Sequence, residues 1–298
     1  MSPVKRVRGY SELPDLTASD IAGQLASKDE RLRRRLAHVS HVVAIASGKG
    51  GVGKSVITAN LAVCLARSGY SVGVVDADLN GPSMARLLGT ESTPPRMSED
   101  SVQPAVGAGG VKLMSMDLLL ANAETPLDWK GPKTESFLWR GTMEANTLRE
   151  FISDTDWGAL DFLILDLPPG SDRIAPVRDL LPELGGVVLI TLPSDISRFV
   201  VGKALTMVRK LDVAVIGYVE NMAGYLCPHC GEKGRLFRSE KREFENTPRL
   251  ATLPFDPSFG RETEAGRPGV MRSPDSEVGL GIGAITRAVI EHFEGEEG

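Results

Sequence analysis

The stretch VVAIASGKGGVGKSVITANLAVCLARSGY (Val42–Tyr70) runs from an apolar segment through a glycine-rich turn into a helical pattern. VVAIA has the β-branched, unalternating character of a short strand covered on both faces. From Gly48 to Ser55 the turn spells G-x-x-x-x-G-K-S. Glycines let the backbone turn its N–H groups inward around phosphate oxygens, and the helix that follows presents its positive end to the same anion. Lys54 is placed to reach the β- and γ-phosphates, and the Ser55 hydroxyl to ligate Mg²⁺. The flanking strand and helix separate this loop from a chance glycine turn with a lysine in it. The expected ATP contacts are Gly48, Lys49, Gly50, Gly51, Val52, Gly53, Lys54, Ser55 and Val56.

Working outward, the same rhythm recurs. Apolar runs at 71–76, 111–116, 160–166, 185–191, 213–219 and 249–254 alternate with longer helical patterns. Such alternation implies an α/β fold, a doubly wound and mainly parallel sheet flanked by helices. Residues 89–110 are rich in turn formers and read as an irregular surface excursion. In doubly wound sheets ligands bind beyond the carboxyl ends of the strands. Aspartates stand there: Asp76 and Asp78 in VVDADLNGPS, and Asp166 in LILDLPPGSD. A carboxylate at the end of a buried strand is costly unless it is paired or binds metal. Asp166 fits a metal-holding role with Ser55, Asp76 a supporting place in the metal shell, and Asp78 the orientation of the attacking water. Helix capping is an alternative role for Asp76. Lys54 and Asp78 are expected to be catalytic.

Composition narrows the class. A net charge of −5 gives no global attraction to nucleic acid or anionic lipid. The basic cluster KDERLRRR (28–35) has acidic residues within it and reads as a solvated helix face. The amino terminus lacks the apolar segment of a secretory signal, and the apolar runs are too short to span a bilayer. Three cysteines in 298 residues do not make a disulfide framework. These features imply a cytoplasmic protein. Residues 1–40 read as a polar and helical appendage, with Thr17 or Ser19 as a helix cap. Residues 41–292 form the main domain, and 293–298 an acidic tail.

Two of the cysteines stand in NMAGYLCPHCG (Asn221–Gly231). Cys227 and Cys230 are spaced as a metal knuckle, yet the chain has no second pair. Four readings follow. Each of two chains could give two thiolates to an iron–sulfur cluster on a twofold axis, or to Zn²⁺ in the same way. The pair could be a redox dithiol, or incidental. His229, between the thiols, is not expected to ligate. Cys64, within the helix after the phosphate loop, reads as core packing.

Together the pieces GKGGVGKS, VVDADLNGPS, WRGTMEANTLREFISDTDWGALDFLILDLPPG, VENMAGYLCPHCG and LPFDPSF…EAGRPGV resemble the Mrp/ApbC family of P-loop ATPases, over roughly Val42 to Ile290. Lys49 matches the signature lysine of the deviant Walker A class that also holds MinD, ParA and NifH. The resemblance implies several roles. Lys49 reaches across a dimer to the partner's nucleotide, supplying charge as a finger residue does. Asn221 reads the adenine edge, and Pro254 packs near the base. Cys227 and Cys230 bind a [4Fe-4S] cluster shared across a homodimer and passed from a donor to apo iron–sulfur proteins. The acidic carboxyl end, AVIEHFEGEEG, argues against the membrane handle of a MinD-type positioning ATPase, and the net charge against a DNA handle.

Three departures from the family stand out. PPGSDR replaces the usual PPGTGD, which puts Asp172 and Arg173 in the loop after Asp166. Val56 replaces a hydroxyl residue after Ser55. The segment between CPHCG and LPFDP is more charged and less glycine-rich than usual.

Overall fold

The computed structural model describes residues 28–295 apart from 92, 94, 99–100, 120–135, 228, 231, 235 and 238–242. The expected cap at Thr17 or Ser19 and the end of the acidic tail lie outside these residues. All seven apolar runs are strands of one sheet. In chain order the eight strands of that sheet are β1 (Val39–Ser47), β2 (Val72–Asp76), β3 (Ala105–Val106), β4 (Lys112–Met114), β5 (Leu160–Asp166), β6 (Leu184–Thr191), β7 (Val215–Glu220) and β8 (Arg249–Thr252). The spatial order is β8-β7-β6-β1-β5-β2-β4-β3. Every neighbouring pair is parallel except β3 with β4.

The eighth strand, β3, lies within the 89–110 excursion. Two residues, Ala105 buried and Val106 exposed, are too short a run for alternation to announce a strand. An antiparallel edge strand of this kind commonly closes an otherwise parallel sheet.

Helices cover both faces. On one side α1 (Lys54–Arg67) and α6 (Glu277–Glu294) bury Ile57, Leu61, Leu65, Ile282, Ile285 and Val289. On the other, α2 (Ser136–Asp154), α3 (Ile174–Leu180) and α4 (Asp195–Lys210) bury Phe151, Ile152, Val177, Val201 and Leu205. The helical residues 28–36 join this second core through Leu32 and Leu36. Their charged face pairs with α2 and its end: Lys28 with Glu150, Arg31 with Asp154, and Arg35 with Asp156. Exposed pairs of this kind add little, so the two leucines do most to hold the segment.

The helix starts show where the chain departs from self-sufficiency. Ser194 caps α4, Ser276 caps α6, and Asp256 caps α5 (Pro257–Glu264), each through its side chain. α1 has no such cap; it springs from Gly53 in the left-handed region at φ 83. Its first N–H groups are thus left to the loop side, at the carboxyl edge of the sheet.

Candidate nucleotide site and cysteine knuckle

Sheet register sets the chemistry. β2 and β5 are adjacent, and Asp76 lies opposite Asp166. Both are almost wholly buried. Asp166 collects three donors from the start of α1. Lys54 Nζ lies 2.6 Å from Oδ2, Ser55 Oγ donates to Oδ2 at 2.6 Å, and Thr58 Oγ1 donates to Oδ1 at 2.6 Å. Thr58 is a residue that motif reading missed. Its position one helical turn after Lys54 was the available signal, since i and i+4 share a face. Ser55 Oγ and Asp166 Oδ2 are adjacent hard oxygen donors, the kind Mg²⁺ takes directly or through water.

Asp76 is used differently. Its Oδ2 accepts from the backbone N–H groups of Ser83 and Met84 and from Ser115 Oγ, and its Oδ1 from the N–H of Asp78. It therefore holds the loop 77–83 and the helical turn Met84–Leu87 in place. Burial, and then the neighbouring Asp166 charge, push its carboxyl up to about 7. Asp78, further along the same loop, is partly buried, and burial pushes its carboxyl up as well, against the pull of Lys54.

Two adjoining cavities open here. One, of about 480 Å³, is lined by the phosphate loop with Asp78, Ser83, Arg86 and Pro169. Lys49 and Lys54 both face it. The other, of about 300 Å³, is lined by Asn221, Met222, Pro254 and Phe255 with the underside of the loop and Ile57, Asn60 and Ile282. Val56 borders both. Asn221 Nδ2 donates to Val52 O at 2.8 Å, so this side chain braces the loop from below. Gly48 packs so closely on Val200 of α4 that a Cβ would come within 2.6 Å. The phosphate loop is thereby fixed from two sides.

The cysteine segment hangs from the wall of the second cavity. Ala223 N–H donates to Leu253 O, Phe255 N–H donates to Gly224 O, and Tyr225 stacks on Phe255 at 6.3 Å between centroids. The two-residue strands Tyr225–Leu226 and Lys233–Gly234 pair as an antiparallel ladder around the knuckle. Cys227 is half-buried and Cys230 exposed. Backbone N–H groups of Cys230 and His229, with the Cys230 thiol, hold the Cys227 thiol below its ordinary range. Cys64 sits on α1 against the core, where burial pushes its thiol up.

A phosphate loop at the carboxyl edge of a parallel sheet, with buried aspartates closing two adjoining strands, defines a P-loop ATPase. A family profile described as NUBPL iron-transfer P-loop NTPase matches residues 38–290. The chain belongs to this family, the Mrp/ApbC-like iron–sulfur cluster carriers within the deviant Walker A class. The iron–sulfur cluster carrier protein of Methanocaldococcus jannaschii is 34% identical, over 94% of both chains. That of Aquifex aeolicus is 38% identical, over 87% of this chain and 70% of the relative. Among solved structures, a nucleotide-binding protein from Archaeoglobus fulgidus in complex with ADP is 34% identical, with a TM-score of 0.65 over 81% of this chain and 92% of that one. MinD from Pyrococcus horikoshii, solved with Mg-ADP, shares the fold at 21% identity and a TM-score of 0.54, over 84% of this chain and 95% of that one. No helix among the described residues is long and apolar enough to cross a membrane.

Proposed function

We propose that this ATPase carries a [4Fe-4S] cluster between two copies of the chain, held by Cys227 and Cys230 of each, and delivers it to apo iron–sulfur proteins after loading by a donor. The observation that carries this reading is the segment Asn221–Cys227, which serves both sites. Its first residue braces the phosphate loop and lines the base cavity; its last is a thiol of the knuckle. Five residues separate Asn221 from Cys227. Two thiols from each chain supply the four ligands such a cluster takes.

ATP lies in the phosphate cleft on Gly48–Val56, with its base between Asn221 and Pro254. Ser55 and Asp166 hold Mg²⁺, and Asp76 supports that shell by fixing the loop beside it. Asp78 orients the attacking water. Lys54 holds the β/γ-phosphates, and Lys49 brings its charge to the partner's nucleotide, so that hydrolysis and cluster geometry both depend on the dimer.

The test is anaerobic reconstitution with iron and sulfide, with and without ATP, reading bound iron, sulfide and mass. Four iron and four sulfide per dimer are expected. Cys227→Ala should lose the cluster and keep nucleotide binding; a cluster retained by that variant would sink the proposal. Zinc alone, bridging a dimer without sulfide, would instead assign a zinc-clamped nucleotide switch.

A further inference from the structure

The loop after Asp166 reads PPGSDR, and its Arg173 has a partner on another element. Arg173 Nη1 donates to Glu144 Oε2 at 2.9 Å. The other oxygen of the same carboxylate, Oε1, accepts from Asn80 Nδ2 at 2.8 Å. Asn80 stands two residues after Asp78. Glu144, on α2, thus joins the loop that carries Asp78 to the loop that follows Asp166. We infer that Glu144 is a positioning residue for ATP hydrolysis, a carboxylate latch that sets the distance between these two loops without touching the nucleotide. The inference rests on the roles assigned above to Asp78 and Asp166.

Three further observations bear on it. Beneath the latch lies a pocket of about 70 Å³ bounded by Ala77, Leu148, Pro168 and Val177. The loops are joined at their roots, where Ala77 N–H donates to Asp166 O; further out, packing at this pocket is incomplete and the polar bridge runs beside it. The Glu144 side chain is 17% exposed and Arg173 35%, so the pair is better sheltered than an ordinary surface ion pair. The Arg173 charge also acts on Asp78, favouring its ionised form. In this chain Arg173 is tied to another element. It is one half of an ion pair whose other half is 29 positions away in sequence.

The experiment measures steady-state ATP hydrolysis, affinity for a fluorescent ADP analogue and thermal unfolding in the full chain. Glu144→Ala should lower kcat roughly tenfold, as loss of orientation does, with ADP affinity within about twofold of wild type. Arg173→Ala should do the same, and the double variant should be no worse than the poorer single. Glu144→Lys with Arg173→Glu should restore most of the rate, because the Asn80 amide can accept as well as donate. Glu144→Gln, which keeps the shape, covers the case in which alanine fails to fold. Wild-type kcat in both Glu144 variants overturns the latch, as does a multiplicative double variant or a loss of rate matched by a loss of thermal stability in both. Asp78→Asn hydrolysing ATP at the wild-type rate would overturn the assignment beneath it instead.

Discussion

Lys54 Nζ and Asp166 Oδ2 are 2.6 Å apart, and both side chains are withdrawn from solvent. A buried ion pair is weak evidence of stabilisation, but breaking one half of it leaves a charge with nothing to balance it. Lys54→Ala should therefore cost about 3 kcal/mol of folding stability, eased by the two hydroxyls that still donate to Asp166. Lys54→Ala with Asp166→Asn, which removes both charges, should recover part of that loss in urea unfolding without nucleotide. ATP binding should be absent in both. A double variant less stable than Lys54→Ala alone would show that the pair does not dominate the energetics of the site.

Gly53 begins α1 with a backbone that side chains other than glycine rarely adopt. A Cβ there would also meet Asn221 Nδ2 at 2.3 Å. Gly53→Ala must bear backbone strain of about 1–2 kcal/mol and displace the amide from Val52 O. The expected result is nucleotide affinity weakened roughly tenfold or more. Titration with a fluorescent ADP analogue checks it; wild-type affinity would mean that Asn221 does not shape the loop.

Asp76 provides a pH signature. Burial and the Asp166 charge raise its carboxyl from 3.8 to about 7. The fold therefore favours the protonated form more than the unfolded chain does. That contribution to stability is fully present below the unfolded value and is lost as pH rises through about 7. Asp76→Asn does not titrate. Measured without Mg²⁺, the stability of wild type relative to this variant should fall between about pH 4 and about pH 7. A flat difference would show that the N–H groups of Met84 and Ser83, with Lys54, keep Asp76 ionised throughout.

The sheet was legible because strands covered on both faces must be apolar throughout, and all seven such runs proved to be strands. The loop from Gly48 to Ser55 was legible for a different reason: its glycines, lysine and hydroxyl have to occur in a fixed order. What escaped was chemistry that depends on through-space pairing. Thr58 announced itself only by helical spacing. Glu144 meets Asn80 and Arg173 only after β2, β5 and α2 have packed, so no local pattern marks it. β3 was too short for any period. The stacking of Tyr225 on Phe255, which ties the knuckle to the base cavity, joins residues 30 apart that have no common motif.

The environments of Cys227 and Cys64 predict opposite reactivity. Backbone N–H groups of Cys230 and His229 hold the Cys227 thiol low, whereas burial pushes the Cys64 thiol up. The thiolate is the nucleophile, and access governs the rest. In reduced, cluster-free protein at neutral pH, iodoacetamide should modify Cys227 well before Cys64, as read by peptide mass mapping over time. The order follows from thiolate fraction, so lowering the pH should slow the reaction at Cys227. Because the knuckle hangs from the base cavity through Gly224, Tyr225 and Phe255, saturating ADP should change the rate at Cys227 and leave that at Cys64 alone. Equal rates at the two cysteines would show that these backbone groups do not activate Cys227. A rate at Cys227 indifferent to ADP would show that the shared segment does not transmit occupancy of the base cavity to the thiol.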